Sequence, residues 1–109
     1  MKAALIRRYG RGKIWDRAGL YYLDPPMPQL LRDGTHEMHE YVLVTVVGDT
    51  AEMLACDKDG ALPRRVGHWL PLTRDDMTPR GLAVVDAPSC TAALEAEGYT
   101  VVAMGEMTA

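Results

Sequence analysis

Phenylalanine is absent from these 109 residues, and cysteine occurs only twice, at Cys56 and Cys90. Without Phe, the large apolar side chains must come from Tyr, Trp, Leu and seven Met. Methionine fills a core readily but fixes its geometry loosely. Two cysteines so far apart do not make a disulfide framework, so both are expected as reduced, half-buried thiols in a cytosol. The apolar stretch after Met1 is too short for a signal peptide, and no run approaches the length of a membrane span. These absences predict a soluble, cytoplasmic protein that makes no membrane contact.

What is present predicts one α+β domain over residues 1–109. Its net charge of −3 hides an asymmetry. Lys2, Arg7, Arg8, Arg11, Lys13 and Arg17 face only Asp16 within residues 1–19, whereas the rest of the chain carries a net −8. A basic end on an acidic body suits an acidic protein surface, a second copy of the chain, or nucleic acid.

The centre of the fold is legible in Glu40 to Gly60. Tyr41-Val42-Leu43-Val44-Thr45-Val46-Val47 is apolar and β-branched, Gly48-Asp49 interrupts it, and Thr50 to Cys56 resumes it. Two such runs across a two-residue break read as a β-hairpin. Asp57-Lys58-Asp59-Gly60 closes the second run as a turn. The first dozen residues fit a strand or a short helix ended by Gly10, with the strand favoured. Gly10 to Gly12 reads as a turn, and Gly19 to Leu23 as a strand stopped by Asp24-Pro25-Pro26. With three prolines and Asp33-Gly34, the segment from Pro25 to Thr35 reads as a surface loop.

Leu62 to Leu72 is expected to be irregular, with Val66, Trp69 and Leu70 over the sheet, and Thr73 to Gly81 to be a second loop. Leu82 to Val85 fits a short strand. Asp86 is the expected N-cap of a helix from Ala87 to Glu97, with Pro88 in its first turn and Gly98 at its left-handed C′ position. Cys90, Ala93, Leu94 and Ala96 form its apolar stripe, and Tyr99 to Met104 returns as a last strand. The sum is an antiparallel sheet of four or five strands with one helix, in the C-terminal half, packed on a face.

Several features stand in a recognisable order along the chain. They begin with Leu20-Tyr21-Tyr22-Leu23-Asp24-Pro25-Pro26 and His39-Glu40-Tyr41-Val42-Leu43-Val44-Thr45-Val46-Val47. Asp57-Lys58-Asp59-Gly60, Trp69-Leu70-Pro71 and Ala92-Ala93-Leu94-Glu95-Ala96-Glu97-Gly98-Tyr99 continue the series. In this order the chain resembles small uncharacterised proteins of actinobacteriophages, especially mycobacteriophages, over residues 20–104. The resemblance implies phage origin and a host-cell cytosol, and it carries over no activity and no site residue.

Catalytic and metal motifs are incomplete. The zincin pattern needs two histidines four apart, whereas His36 and His39 are three apart, on opposite faces of a strand. Asp57 to Gly60 lacks the further ligands of a calcium loop. Gly10-Arg11-Gly12-Lys13 is too short for a P-loop and is followed by Ile14. Cys90 lies near a helix N-terminus, which can depress a thiol's pKa, but no base accompanies it.

The sequence therefore predicts a non-enzymatic accessory protein without metal or cofactor, acting by binding a host protein or itself. Its candidate partner-binding residues are Arg7, Arg8, Arg11, Lys13, Trp15, Arg17 and Trp69. The alternative is nucleic-acid association through the basic N-terminal segment, where Tyr9 and Trp15 are interleaved.

Overall fold

Alternation builds the middle of the sheet. The computed structural model of the protein describes residues 1–9, 16–30, 34–61 and 83–105. Its strands are β1 (Lys2–Arg8), β2 (Ala18–Leu30), β3 (His36–Val47), β4 (Thr50–Ala55), β5 (Ala83–Asp86) and β6 (Thr100–Ala103), with a helix α1 (Cys90–Ala96) before β6. In β3, Val42, Val44 and Val46 are buried on one face while Tyr41, Leu43 and Thr45 are half-buried on the other. The expected hairpin joins β3 to β4, with Val47 opposite Thr50. Gly48, at φ +62°, supplies the left-handed residue that a two-residue hairpin turn demands.

The strand order is β5-β4-β3-β2-β1-β6. The sheet therefore has six strands rather than four or five, and it is mixed rather than antiparallel, because β6 lies parallel to β1. The reason is the helix between β5 and β6. A helix that returns the chain to the end of the sheet where the previous strand began delivers the next strand parallel to it. Here the returning strand joins the far edge.

Prolines misled the reading of β2. The segment from Pro25 onward is not a loop but a continuation of the strand to Leu30. Pairing with β1 ends at Lys2–Asp24, so from Pro25 on β2 has β3 as its partner and an edge on its other side. Proline is tolerated at such an edge because no ladder N–H is needed there. The register also jumps between Tyr22 and Met27 while β3 advances only from Tyr41 to His39, and the Asp24–Pro25 peptide bond in this bulge is cis.

Helix α1 is shorter than expected and begins later. Ser89, not Asp86, caps it, its Oγ accepting from the Ala92 N–H at 3.1 Å. Asp86 instead ends β5. The far end matches expectation: Gly98 has φ +94°, its N–H donates to Glu95 O, and the Tyr99 N–H donates to Leu94 O. That pair of bonds is a Schellman motif, and Leu94 and Tyr99 both lie in the core beside it. Cys90, Ala93 and Leu94 are buried against the sheet, whereas Ala96 is exposed.

Tyr21, Leu23, Val42, Val44 and Met53 meet the helix stripe in the core. Methionine does not fill it as composition suggested. Among the described residues only Met27 and Met53 are buried, and Met1 and Met38 each remain 55% exposed. Among these residues no helix is long and apolar enough to cross a membrane. The expected features between residues 62 and 82 lie outside the described residues, as does the Gly10 to Gly12 turn, apart from the Leu82 to Val85 strand, which is β5.

Candidate protein-binding cleft

Two of the basic residues singled out in the sequence are engaged within the fold. Arg8 Nη1 donates to Asp16 Oδ1 at 3.1 Å, and the Tyr21 hydroxyl reaches the same oxygen at 3.5 Å. Oδ2 of that carboxylate accepts from the Thr91 N–H at 3.3 Å, and the Asp16 carbonyl accepts from the Cys90 N–H at 2.8 Å. Asp16 thus gathers β1, β2 and the first turn of α1 into one polar hub. Arg17 Nη2 donates to the Gly48 carbonyl, holding the hairpin turn. Arg7 is exposed on β1. Arg11, Lys13, Trp15 and Trp69 lie outside the described residues.

The thiols are not activated. Burial, assisted by the nearby Asp16 carboxylate, pushes Cys90 up to about 11, opposite to the depression a helix N-terminus would cause. Its Sγ donates to the Val44 carbonyl at 3.5 Å. Burial likewise pushes Cys56 up to about 12, with Asp57 adding to it. His39 is half-buried, its Nε2 donating to Gln29 Oε1 at 2.8 Å, and burial lowers its pKa. His36 is exposed on the same strand. Asp57 serves a turn, Oδ1 accepting from the Asp59 and Ala61 N–H groups at 2.8 and 2.9 Å. Among the described residues no cluster of three or more His, Cys, Asp or Glu is placed to share a metal ion.

The feature that sequence reasoning missed lies at the opposite end of the sheet from Asp16. There the edge portion of β2 presents Pro25, Pro26 and Pro28, and β3 presents Met38. Met1, ahead of β1, and the residues after α1, Glu97 and Tyr99, complete an open cleft of about 430 Å³. The Tyr99 hydroxyl donates to the Pro25 carbonyl at 2.8 Å, so the Schellman end of the helix is bonded to the bulge of β2. Burial raises the Tyr99 pKa, with Glu97 adding to it. Glu97 is the single charged side chain in the lining, and the rest is apolar apart from that bonded phenol. The run Pro25-Pro26-Met27-Pro28 was the available signal, but it read as a loop.

Among the described residues, an open mixed sheet carrying one short helix and a Met/Pro-lined cleft is the class of object defined. No family model matches the chain, and neither a curated protein nor a solved structure matches it.

Proposed function

We propose that the chain is a small non-enzymatic binding protein, an accessory protein of the phage kind that its feature order resembles. It holds an extended apolar segment of a host protein, carrying a basic side chain, in the cleft between Pro25–Pro28 and Tyr99. The observation that carries this reading is the exposure of Met1 and Met38 on a cleft already formed by rigid prolines. Methionine adapts its shape to varied partners, and exposed apolar surface around a concavity marks interaction sites. The volume lies toward the low end of ordinary ligand pockets, enough for a few side chains. Glu97 at the rim selects a basic neighbour.

The raised thiols support a role without covalent catalysis. Nucleic-acid association ranks second, because Arg8 and Arg17 spend their guanidinium groups on Asp16 and Gly48. Site-specific photocrosslinking from position 38 in the host cytosol, read by mass spectrometry, tests the proposal. Crosslinks should fall on an apolar segment beside a Lys or Arg and vanish when an unlabelled peptide of that segment is added. Crosslinks to a second copy would make the occupant the chain itself. A partner retained by Met38→Asp but lost on replacing Arg7 and Arg11 with Ala would move the site to the basic segment.

A further inference from the structure

Tyr22 on β2 and Tyr41 on β3 are cross-strand partners on the sheet face away from α1. Their ring centroids are 5.4 Å apart and the rings are tilted by 55°. Tilted aromatic pairs stabilise a sheet by themselves, which accounts for the pair but not for what surrounds it. Asp24 and Glu40, both exposed, flank the pair, close enough for both carboxylates to bear on the Tyr22 phenol. Among the described residues neither carboxylate takes part in the ion pairs, which are Arg8–Asp16 and His39–Glu37. Lys2 stands opposite Asp24 across β1 and β2, so Asp24's field is shared with it. Glu40 is therefore the carboxylate on which the corner depends.

We infer that Tyr22, Tyr41, Glu40 and Asp24 form a receiving corner for an organic cation, the guanidinium of an arginine side chain in a bound polypeptide. Two half-buried aromatic faces attract a cation through their quadrupoles, and arginine is the cation most often found there. The planar guanidinium can lie on a tyrosine face while its N–H groups reach Glu40. Burial and the neighbouring Glu40 and Asp24 carboxylates raise the Tyr22 pKa, so the phenol stays neutral beside them. The corner uses none of the residues lining the Met/Pro cleft, so it stands or falls separately from it.

The test is titration of the intact protein with Nα-acetyl-arginine amide, followed by NMR of ring-labelled tyrosines, with the neutral citrulline analogue as control. Saturable shifts at Tyr22 and Tyr41, absent at the buried Tyr21, are the expected result. Glu40→Gln and Tyr41→Leu should each weaken binding roughly two- to fivefold, as the loss of an exposed cation–π or charge contact implies. Glu40→Gln changes an exposed side chain and so keeps the test valid if Tyr41→Leu loosens the strand. Glu95→Gln, which removes an exposed charge on α1 at the other face of the sheet, should leave the shifts unchanged. Equal shifts with citrulline, shifts spread evenly over all the tyrosines, or undiminished binding by Glu40→Gln would each overturn the inference.

Discussion

The two ends of this sheet are built on opposite rules. At the Asp16 end, charged and polar groups converge and consume one another: a carboxylate, two guanidiniums, a phenol and helix N–H groups. At the Pro25 end, apolar side chains stand in solvent around a cleft with one charged side chain in its lining. Among the described residues, the end richest in charge bonds its groups to one another, and the end poorest in charge leaves apolar surface uncovered. A cluster of arginines in a sequence reports how much charge there is, not how much is free. An exposed group of large apolar side chains carries more information, because the fold leaves it uncovered.

Removing the element that ties the ends together should have the largest effect. Leu94→Asp places a charge at a fully buried position of α1 and should cost about 4 kcal/mol or more, read as the urea midpoint. A midpoint unchanged by that substitution would mean the helix does not hold the two ends. Asp16→Ala should cost about 2 kcal/mol, since it strips Arg8, Tyr21 and Thr91 of a shared acceptor. If that variant melts like the parent, the hub is decoration and the basic segment is freer than its contacts show.

The thiols give a pH test of the frame. Folded Cys90 and Cys56 titrate near 11 and 12, above the ordinary thiol value of 9.0, so folding favours their protonated forms. Their contribution is complete below pH 9 and is lost as pH rises through those folded values. Thermal melts should weaken progressively over that alkaline range, and alkylation at pH 8 should be slow until denaturant is added. Rapid alkylation of Cys90 in the native protein would show that the core side is not sealed. The smallest effect on stability belongs to the open end. Met38→Asp should shift stability by no more than ~0.5 kcal/mol, as exposed substitutions usually do, while abolishing crosslinking from a photoprobe moved to position 28 of the cleft. A large loss of stability there would make the cleft part of the core and end the contrast.

The central hairpin was readable because β-branched alternation and a Gly-Asp break are local signals that burial on one face reinforces. The end of α1 was equally clear, since only Gly98 could take the left-handed position. Its start was not: Asp86 and Pro88 offered the stronger local signal, yet Ser89 caps, because the Asp16 carbonyl and carboxylate fix where the first turn begins. That contact joins residues far apart in the chain, and no local pattern encodes it. Pro25, Pro26 and Pro28 read as a loop because proline is penalised in a central strand, and nothing in the sequence showed that β1 stops at the partner of Asp24. The cleft was hidden for the same reason. Its walls come from four separated segments whose meeting depends on the parallel docking of β6.

That docking also governs how the molecule must assemble in time. Residues 2–5 pair with residues 100–103, so the β1–β6 edge closes a loop spanning nearly the whole chain. Closing a long loop costs entropy before any contact rewards it, and folds dominated by such pairings complete slowly, in roughly milliseconds to seconds. The hairpin of β3 and β4 can zip early, on its own turn. The outer edge waits for the last strand, and the cleft waits with it, because Tyr99 reaches Pro25 only when that strand is in place. A chain caught before this step would already hold the hairpin but would offer its partner no formed cleft.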